Sequence, residues 1–286
     1  MKKGKLRKIG YIVEAFFGYI LYFIFLILPI DWSSAIAGWF GEIIGPKLRV
    51  SKVGYDNLTR CFPKMQESEK KRIIRQMWNN LGRIAGELPH WPRMSSAEFA
   101  RRVKFINPYR NSPKQGVVFL AAHIANFELA SKISQELDLN LSFIYRPANN
   151  PYIDRLINSL RNRCGVKLYP KGVAGLREIY KALHHGTKVA FLVDQKVNDG
   201  EDIDFIGISA KTTTLPAKLA LKFGSKIILS RVVRTKGAHY QVEFYDPLTI
   251  SAHDTAISIT TRINSEIEGW VRKNPEQWFW IHKRWG

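Results

Sequence analysis

The residues best suited to chemistry in this 286-residue chain are His123 and Glu128, five positions apart in the segment AAHIANFELA at residues 121–130. On one continuous helix five residues turn through roughly 140°, so the two side chains would point away from each other. Contact between them therefore requires a break in the secondary structure. The apolar run GVVFL at residues 116–120 predicts a strand that ends near Ala122, with a helix beginning just after His123.

A histidine next to a carboxylate is suited to removing a proton from a hydroxyl group. Histidine has an ordinary pKa of about 6.5, and a carboxylate on one ring nitrogen fixes the tautomer and stabilises the imidazolium ion. No G-x-S-x-G motif is present, so a serine nucleophile is not indicated. The alternative interpretation is structural, with His123 as a turn histidine and Glu128 as a solvated acid favoured by the helix dipole. The spacing alone leaves both interpretations open.

Strand-like runs alternate with helical runs from residue 116 to residue 248, and this alternation predicts an α/β fold with a mixed, largely parallel sheet flanked by helices. Such sheets place their sites at strand ends. His123, Arg146 and Asp194 all stand at predicted strand ends, and Gln195 follows Asp194. Structural roles are also open for these residues, because Arg146 can cap a loop and Asp194 can cap a helix. Arg161 lies on a basic helix, where most arginines are solvated.

Composition indicates a folded basic protein with an anionic partner. The chain is 45% hydrophobic and has 44 Lys and Arg residues against 24 Asp and Glu residues, a formal net charge of +20. Nucleic acid, anionic lipid and an acidic carrier protein are all compatible with that charge. The two cysteines, Cys61 and Cys164, form no C-x-x-C motif, which gives no case for a zinc site or a disulfide framework and is typical of a reducing compartment. The phosphate-binding motifs GxxxxGK[ST] and GxGxxG are absent.

Residues 1–50 are predicted to form a membrane anchor, and residues 51–286 are predicted to form the catalytic domain. Residues 9–30 contain Glu14 as their only formal charge and are long enough to cross a bilayer as a helix, although a cleaved signal peptide is an alternative. Basic residues flank this segment on both sides, and a second apolar stretch follows at residues 33–45. This pattern favours a segment that lies in the interface or returns as a short hairpin, without translocation of the main domain. An amphipathic helix is predicted next, with Ser68 as its N-cap.

These residues resemble a known family. The segment HIANFEL is similar to the H-x4-[D/E] signature of membrane acyltransferases, and in particular of the late acyltransferases of lipid A biosynthesis, the lauroyl/myristoyl transferase family. Further blocks extend the resemblance over nearly the whole chain: YDNLTRCFP, YRPANNPYIDRLI, RNRCG, LVDQ, DFIGISAKTTTLPAKLA and PEQWFWIHKRW.

The resemblance implies transfer of a fatty acyl chain from acyl carrier protein to a hydroxyl of a lipid A precursor, at the cytoplasmic face of the inner membrane. It implies no metal, no cofactor and no nucleic-acid partner. His123 would be the general base and Glu128 its orienting partner. Substrate binding would fall to four other residues that match family blocks: Arg146, Arg161, Asp194 and Gln195.

Two residues depart from the family pattern, since Ala125 and Leu215 stand where glycine is common. If the backbone of Ala125 donates to the thioester oxyanion with a positive φ, the alanine is strained there. The phosphate-binding FPEGTR motif of glycerolipid acyltransferases is missing, which argues against a glycerol-3-phosphate substrate. A related acyltransferase acting on another lipid, such as an aminolipid or glycolipid, and a non-catalytic protein that binds anionic lipid or nucleic acid remain the alternatives.

Overall fold

The computed structural model describes residues 2–109 and 116–286, with side chains from residue 7 onward. The helices in these ranges are α1 (Lys2–Ile27), α2 (Ile30–Ile44), α3 (Ser51–Cys61), α4 (Glu67–Glu87), α5 (Ser96–Arg102), α6 (Leu129–Glu136), α7 (Pro151–Arg163), α8 (Val173–His184), α9 (Leu215–Phe223) and α10 (Ala256–Lys273). The strands are β1 (Val103–Ile106), β2 (Val117–Ala121), β3 (Ser142–Tyr145), β4 (Lys167–Pro170), β5 (Lys188–Leu192), β6 (Glu201–Phe205), β7 (Ile208–Thr212), β8 (Lys226–Lys236) and β9 (His239–Phe244).

Seven strands form one sheet in the order β1-β9-β8-β2-β5-β3-β4. Every neighbouring pair is parallel except β8 and β9, which are antiparallel, so β9 and β1 run against the other five strands. Strands β6 and β7 form a separate antiparallel hairpin. The prediction of a mixed, largely parallel sheet flanked by helices is confirmed.

The sheet is buried on both faces, and β2 at its centre shows why. Its sequence VVFLA is continuously apolar, as is expected of a strand covered by helices on both sides. Val118 and Leu120 pack into the hydrophobic cluster that includes residues of α8, α9 and α10. Val117 and Phe119 pack into the opposite cluster, which includes residues of α6. The carboxyl end of β2 is thereby held rigidly between two cores.

The N-terminal helix α1 is apolar and mostly exposed. Its segment from Arg7 to Ile27 has a mean hydropathy of 1.9 and is long and apolar enough to cross a membrane. Phe16 and Phe17 are 61% and 59% exposed. Glu14, the one formal charge of the apolar stretch, accepts a hydrogen bond of 2.9 Å from Nδ2 of Asn150, the residue that caps the N-terminus of α7. This contact ties α1 to the main domain.

Helix α2 also exposes large apolar side chains, while its other face packs closely on α4. Trp32 is 65% exposed. On the packed face, a Cβ added to Gly82 would lie 2.1 Å from the carbonyl oxygen of Ala37, and one added to Gly41 would lie 2.3 Å from that of Trp78. Glycine is required at both positions because the two helix backbones touch.

Several elements differ from the sequence prediction. The predicted N-cap Ser68 is wrong, because α4 begins at Glu67 after Gln66, whose carbonyl accepts from the amides of Glu69 and Lys70. Helix α10 was not predicted, although Thr255 forms a capping box at its start. The prediction also missed shorter or more polar elements: α3, α5, β1, β6 and β7. Their apolar periodicity is too short to stand out in one sequence.

Candidate active site

His123 lies in the turn that joins β2 to α6. Strand β2 ends at Ala121, and the amide of Ile124 donates to the carbonyl of Ala122 over 2.8 Å. Glu128 takes the N-cap position of α6, which begins at Leu129. The predicted break between the histidine and the glutamate is therefore confirmed, but the helix begins at Leu129 and not just after His123.

The carboxylate that binds His123 is Asp194. Nδ1 of His123 lies 2.8 Å from Oδ1 of Asp194, and the backbone amide of His123 donates to Oδ2 over 2.9 Å. The two residues meet because β2 and β5 are parallel neighbours, with Ala121 opposite Leu192, so both strands end at the same edge. An ionised carboxylate only accepts hydrogen bonds, so Nδ1 carries the proton and Nε2 is left as the basic nitrogen.

Asp194 stays ionised although it is buried. Burial on its own would raise the pKa of the carboxyl group, but the nearby His123 and the hydrogen bonds from His123 and Trp278 hold the pKa below its ordinary value. The bond from Nε1 of Trp278 to Oδ2 measures 2.7 Å. Sequence analysis missed Trp278 as a site residue, since its PEQWFWIHKRW segment offered three tryptophans that nothing in the sequence distinguishes.

The predicted contact between His123 and Glu128 is wrong, because Glu128 is paired with Arg161. Nε and Nη2 of Arg161 donate to the two carboxylate oxygens over 2.9 Å and 2.6 Å. Burial alone would lower the pKa of Arg161, but the Glu128 carboxylate outweighs it and raises the pKa. Glu128, at the N-cap of α6, reaches Arg161 on α7. Asp194 follows the strand next to β2, so its carboxylate is the one that lies beside His123.

Ala125 has the positive φ that the glycine of the family pattern suggests, at 50°, and it is buried. Its amide is not free, however, since it donates to the carbonyl of Gln277 over 2.9 Å. Its carbonyl accepts from Nδ2 of Asn80 over 3.0 Å. The amide of Ala125 is therefore not available to donate to an oxyanion. No acceptor in the described part of the chain takes the next three amides, residues 126–128.

Two further segments hold this turn. Ile124 forms an antiparallel bridge with Trp278, and the amide of Phe279 donates to the carbonyl of His123 over 3.0 Å. From the other side, Nδ2 of Asn126 donates over 2.9 Å to Glu87, a fully buried carboxylate of α4. The turn is thus clamped between the C-terminal segment and α4.

A cavity of about 780 Å³ opens at His123. Five of the predicted site residues line it: His123, Glu128, Arg146, Arg161 and Gln195. Asp194 lies behind His123 and is not on the cavity wall. Buried apolar side chains also line it, on the face of the sheet that α6 covers, and they include Phe119, Ile133, Leu141, Ala190, Val232 and Val242. The cavity therefore has a charged mouth and an apolar interior.

Cations and a second histidine also line the mouth. The amide of Lys171 donates to the carbonyl of Tyr145 over 2.8 Å, which places Lys171 beside Arg146 at the ends of β4 and β3. Lys196 lines the same cavity. So does His282, whose pKa is lowered to about 4 chiefly by burial, so its ring is neutral at neutral pH. Residues 2–109 and 116–286 contain no cluster of three His, Cys, Asp or Glu side chains that could hold a metal ion.

Leu215, the second departure from the family pattern, is the first residue of α9 and lines the cavity. Its helical position requires no glycine. The side chain adds apolar surface to the cavity wall.

Comparisons with known proteins find relatives among lipid A acyltransferases. Two curated relatives are a lipid A biosynthesis acyltransferase of Haemophilus influenzae, 24% identical over 86% of this chain and 81% of that protein, and the lipid A biosynthesis lauroyltransferase of Escherichia coli, 23% identical over 82% and 79%. The lipid A biosynthesis myristoyltransferase of Escherichia coli is 21% identical over 79% and 72%.

Among solved structures, the 1-acyl-sn-glycerophosphate acyltransferase PlsC of Thermotoga maritima aligns over 94% of this chain and 98% of its own, with a TM-score of 0.42 and 12% identity. The sequence model of the family described as bacterial lipid A biosynthesis acyltransferase matches residues 1–286, the whole chain. The chain therefore belongs to the bacterial lipid A biosynthesis acyltransferase family.

Proposed function

We propose that this protein transfers a fatty acyl chain from acyl carrier protein to a hydroxyl of a lipid A precursor, with His123 as the general base. The observation that carries this proposal is the pairing of His123 Nδ1 with the ionised Asp194 at the mouth of an apolar cavity. Such a pair leaves Nε2 unprotonated and able to accept a proton from a hydroxyl in the cavity. Family membership supplies the reaction class.

In the proposed reaction, Nε2 of His123 removes the proton of the acceptor hydroxyl as its oxygen attacks the thioester carbonyl carbon. The tetrahedral intermediate carries the negative charge on the former carbonyl oxygen. We assign the donors to that oxygen to the amides of Phe127 and Glu128, which have no acceptor in the described chain and belong to residues that line the cavity. Collapse forms the ester and breaks the carbon–sulfur bond, and the leaving thiolate takes the proton from His123. No covalent acyl-enzyme is required.

Asp194 takes the orienting role first expected of Glu128. Glu128 instead fixes the guanidinium of Arg161 on the cavity wall through two hydrogen bonds. A bidentate pair of this kind holds both side chains rigidly. We assign Arg161, Arg146 and Gln195 to substrate contacts, since all three line the cavity mouth. The exposed cations Arg146 and Lys171 suit the phosphate groups of the acceptor or the acidic carrier protein.

The anchor is proposed to comprise residues 1–50 and the catalytic domain residues 51–286. The exposed apolar faces of α1 and α2 would enter the bilayer of the inner membrane, with the catalytic domain on the cytoplasmic side. Protease added to sealed vesicles tests the side. Inverted inner-membrane vesicles should lose the catalytic domain to the protease and right-side-out vesicles should protect it, whereas the reverse pattern would place the domain outside.

Replacement of the base or its partner should abolish most of the activity. His123→Ala should lower kcat by about 100-fold or more, because the proton acceptor is lost. Asp194→Asn should cause a loss of similar size, because an amide cannot hold the same tautomer. The assay follows transfer from acyl carrier protein to a lipid A precursor in detergent micelles. In the same assay, Arg146→Ala should mainly raise the KM for a substrate.

His253→Ala is the matched control, because His253 is exposed and is not among the residues that line the cavity. Its activity should equal that of the unmodified protein. Near-normal transfer by a folded His123→Ala variant would show that the base is misassigned. A protein that binds anionic lipid or nucleic acid without catalysis would show no transfer in any variant.

The apolar part of the cavity is proposed to hold the fatty acyl chain, and Ala190 on β5 tests this assignment. Ala190→Leu fills part of the cavity, so the preference for longer over shorter acyl donors should fall by about tenfold, as one or two lost methylene sites imply. Mixed acyl carrier proteins in competition, with products resolved by mass spectrometry, give this ratio. Ala174→Leu, at an exposed position of α8, is the control and should leave it unchanged. An unchanged ratio in folded Ala190→Leu would contradict the assignment.

A further inference from the structure

The indole N–H of Trp278 is the third donor to the Asp194 carboxylate. Oδ1 of Asp194 binds the ring of His123, while Oδ2 accepts both the backbone amide of His123 over 2.9 Å and Nε1 of Trp278 over 2.7 Å. The Trp278 bond is the one contact among these three that does not come from His123. It arrives from a segment more than eighty positions along the chain.

The indole ring cannot turn away from this bond. Trp278 is 2% exposed. Its ring packs edge-on against Trp280, with centroids 4.6 Å apart, and in a tilted arrangement against Phe205, with centroids 5.7 Å apart. Its backbone is fixed by the bridge to Ile124. Packing and backbone pairing therefore both aim Nε1 at Asp194.

We infer that Trp278 is a positioning residue, whose indole N–H holds the Asp194 carboxylate and, through it, the His123 ring in the orientation required for proton transfer. The inference rests on the proposed role of His123 as general base. It assigns a function in the reaction to the C-terminal segment, which supplies none of the reacting atoms.

The bond also has an electrostatic consequence with a definite sign. An N–H donor stabilises the ionised carboxylate and lowers the proton affinity of the Asp194–His123 pair. Without this donor the pair binds its proton more tightly, so the free base appears only at higher pH. The acid limb of the pH–rate profile should then shift to higher pH.

Other charged or titratable groups surround the pair, and none of them is the hydrogen-bond partner of the Trp278 indole. They are His282 and Arg284 of the C-terminal segment, Arg146 after β3, Lys196 after β5, and the Glu128–Arg161 pair. His282 has a pKa of about 4, lowered first by burial, and does not titrate near neutrality. Burial lowers the pKa of Arg284 to about 10, so this residue stays charged there as well.

Trp280 provides a matched control for the substitution. It is fully buried in the same aromatic cluster, and its indole N–H donates over 2.7 Å to the carbonyl of Pro275, away from Asp194. Trp278→Phe and Trp280→Phe thus each remove one indole hydrogen bond of 2.7 Å and the same amount of ring volume. Only Trp278→Phe removes a contact with the His–Asp pair.

The test compares pH–rate profiles of the two variants and the unmodified protein, with thermal unfolding measured in parallel. Trp278→Phe should lower kcat at neutral pH with little change in KM, and should move the acid limb upward by about one pH unit, the size expected for a lost hydrogen bond to a charged group. Trp280→Phe should destabilise the protein to a similar extent and leave the limb where it was. An acid limb at the same pH in both variants would overturn the inference. Loss of activity in His123→Ala would still support the role of His123 as general base.

If Trp278→Phe does not fold, nuclear magnetic resonance of the unmodified protein decides the matter. The indole proton of Trp278, assigned by its proximity to the backbone amide proton of His123, which donates to the same Asp194 oxygen, should shift with pH at the midpoint of the acid limb. The indole proton of Trp280 should not. A Trp278 resonance that stays constant through this range would overturn the inference.

Discussion

The site depends on a single buried charge. The carboxylate of Asp194 is almost fully enclosed, and an enclosed carboxylate is stable only when hydrogen-bond donors replace its lost water. Two of its donors belong to His123 and the third to Trp278. The same contacts that keep the carboxylate ionised fix the position and tautomer of the imidazole. The ionised state of Asp194 and the orientation of the His123 ring therefore have one structural cause, and the proposed general-base role depends on it.

The turn that carries His123 is held from two sides by segments far from it in the sequence. The C-terminal segment pairs with it through Trp278 and Phe279. Helix α4 reaches it through Asn80, which binds the carbonyl of Ala125, and through Glu87, which binds Asn126. These contacts maintain the left-handed conformation of Ala125 without a glycine, since a residue held in that region needs surrounding structure to fix it.

Glu87 also links the turn to the helices at the apolar surface. Its carboxylate accepts from Ser34 of α2 over 2.7 Å, from Asn126, and from the side chains of Tyr240 and Arg234. Burial and the neighbouring Glu87 charge raise the pKa of Tyr240 well above its ordinary value, which keeps its hydroxyl as a donor. The apolar helix α2 and the turn that carries His123 therefore share one buried carboxylate, and the placement of α2 bears directly on the geometry of the candidate site.

The features that could be predicted from the sequence are those that depend on local residue patterns. The alternation of strands and helices gave the sheet, and the strand-end rule placed His123, Arg146 and Asp194 at one edge. The partner of His123 could not be predicted, because the order of strands in the sheet decides which carboxylate lies nearest, and that order is not written in any local spacing. Trp278 was missed for the same reason, since its contact with Asp194 is formed by tertiary packing at a position where the sequence offers several equivalent tryptophans.

The protonation state of the His123 ring tests the account most directly. In protein labelled with nitrogen-15 in its histidines, the neutral ring of His123 should carry its proton on Nδ1, with Nε2 unprotonated and the Nδ1 proton shifted strongly downfield by Asp194. A neutral ring with its proton on Nε2 would contradict the account, because such a histidine has no free nitrogen facing the acceptor hydroxyl.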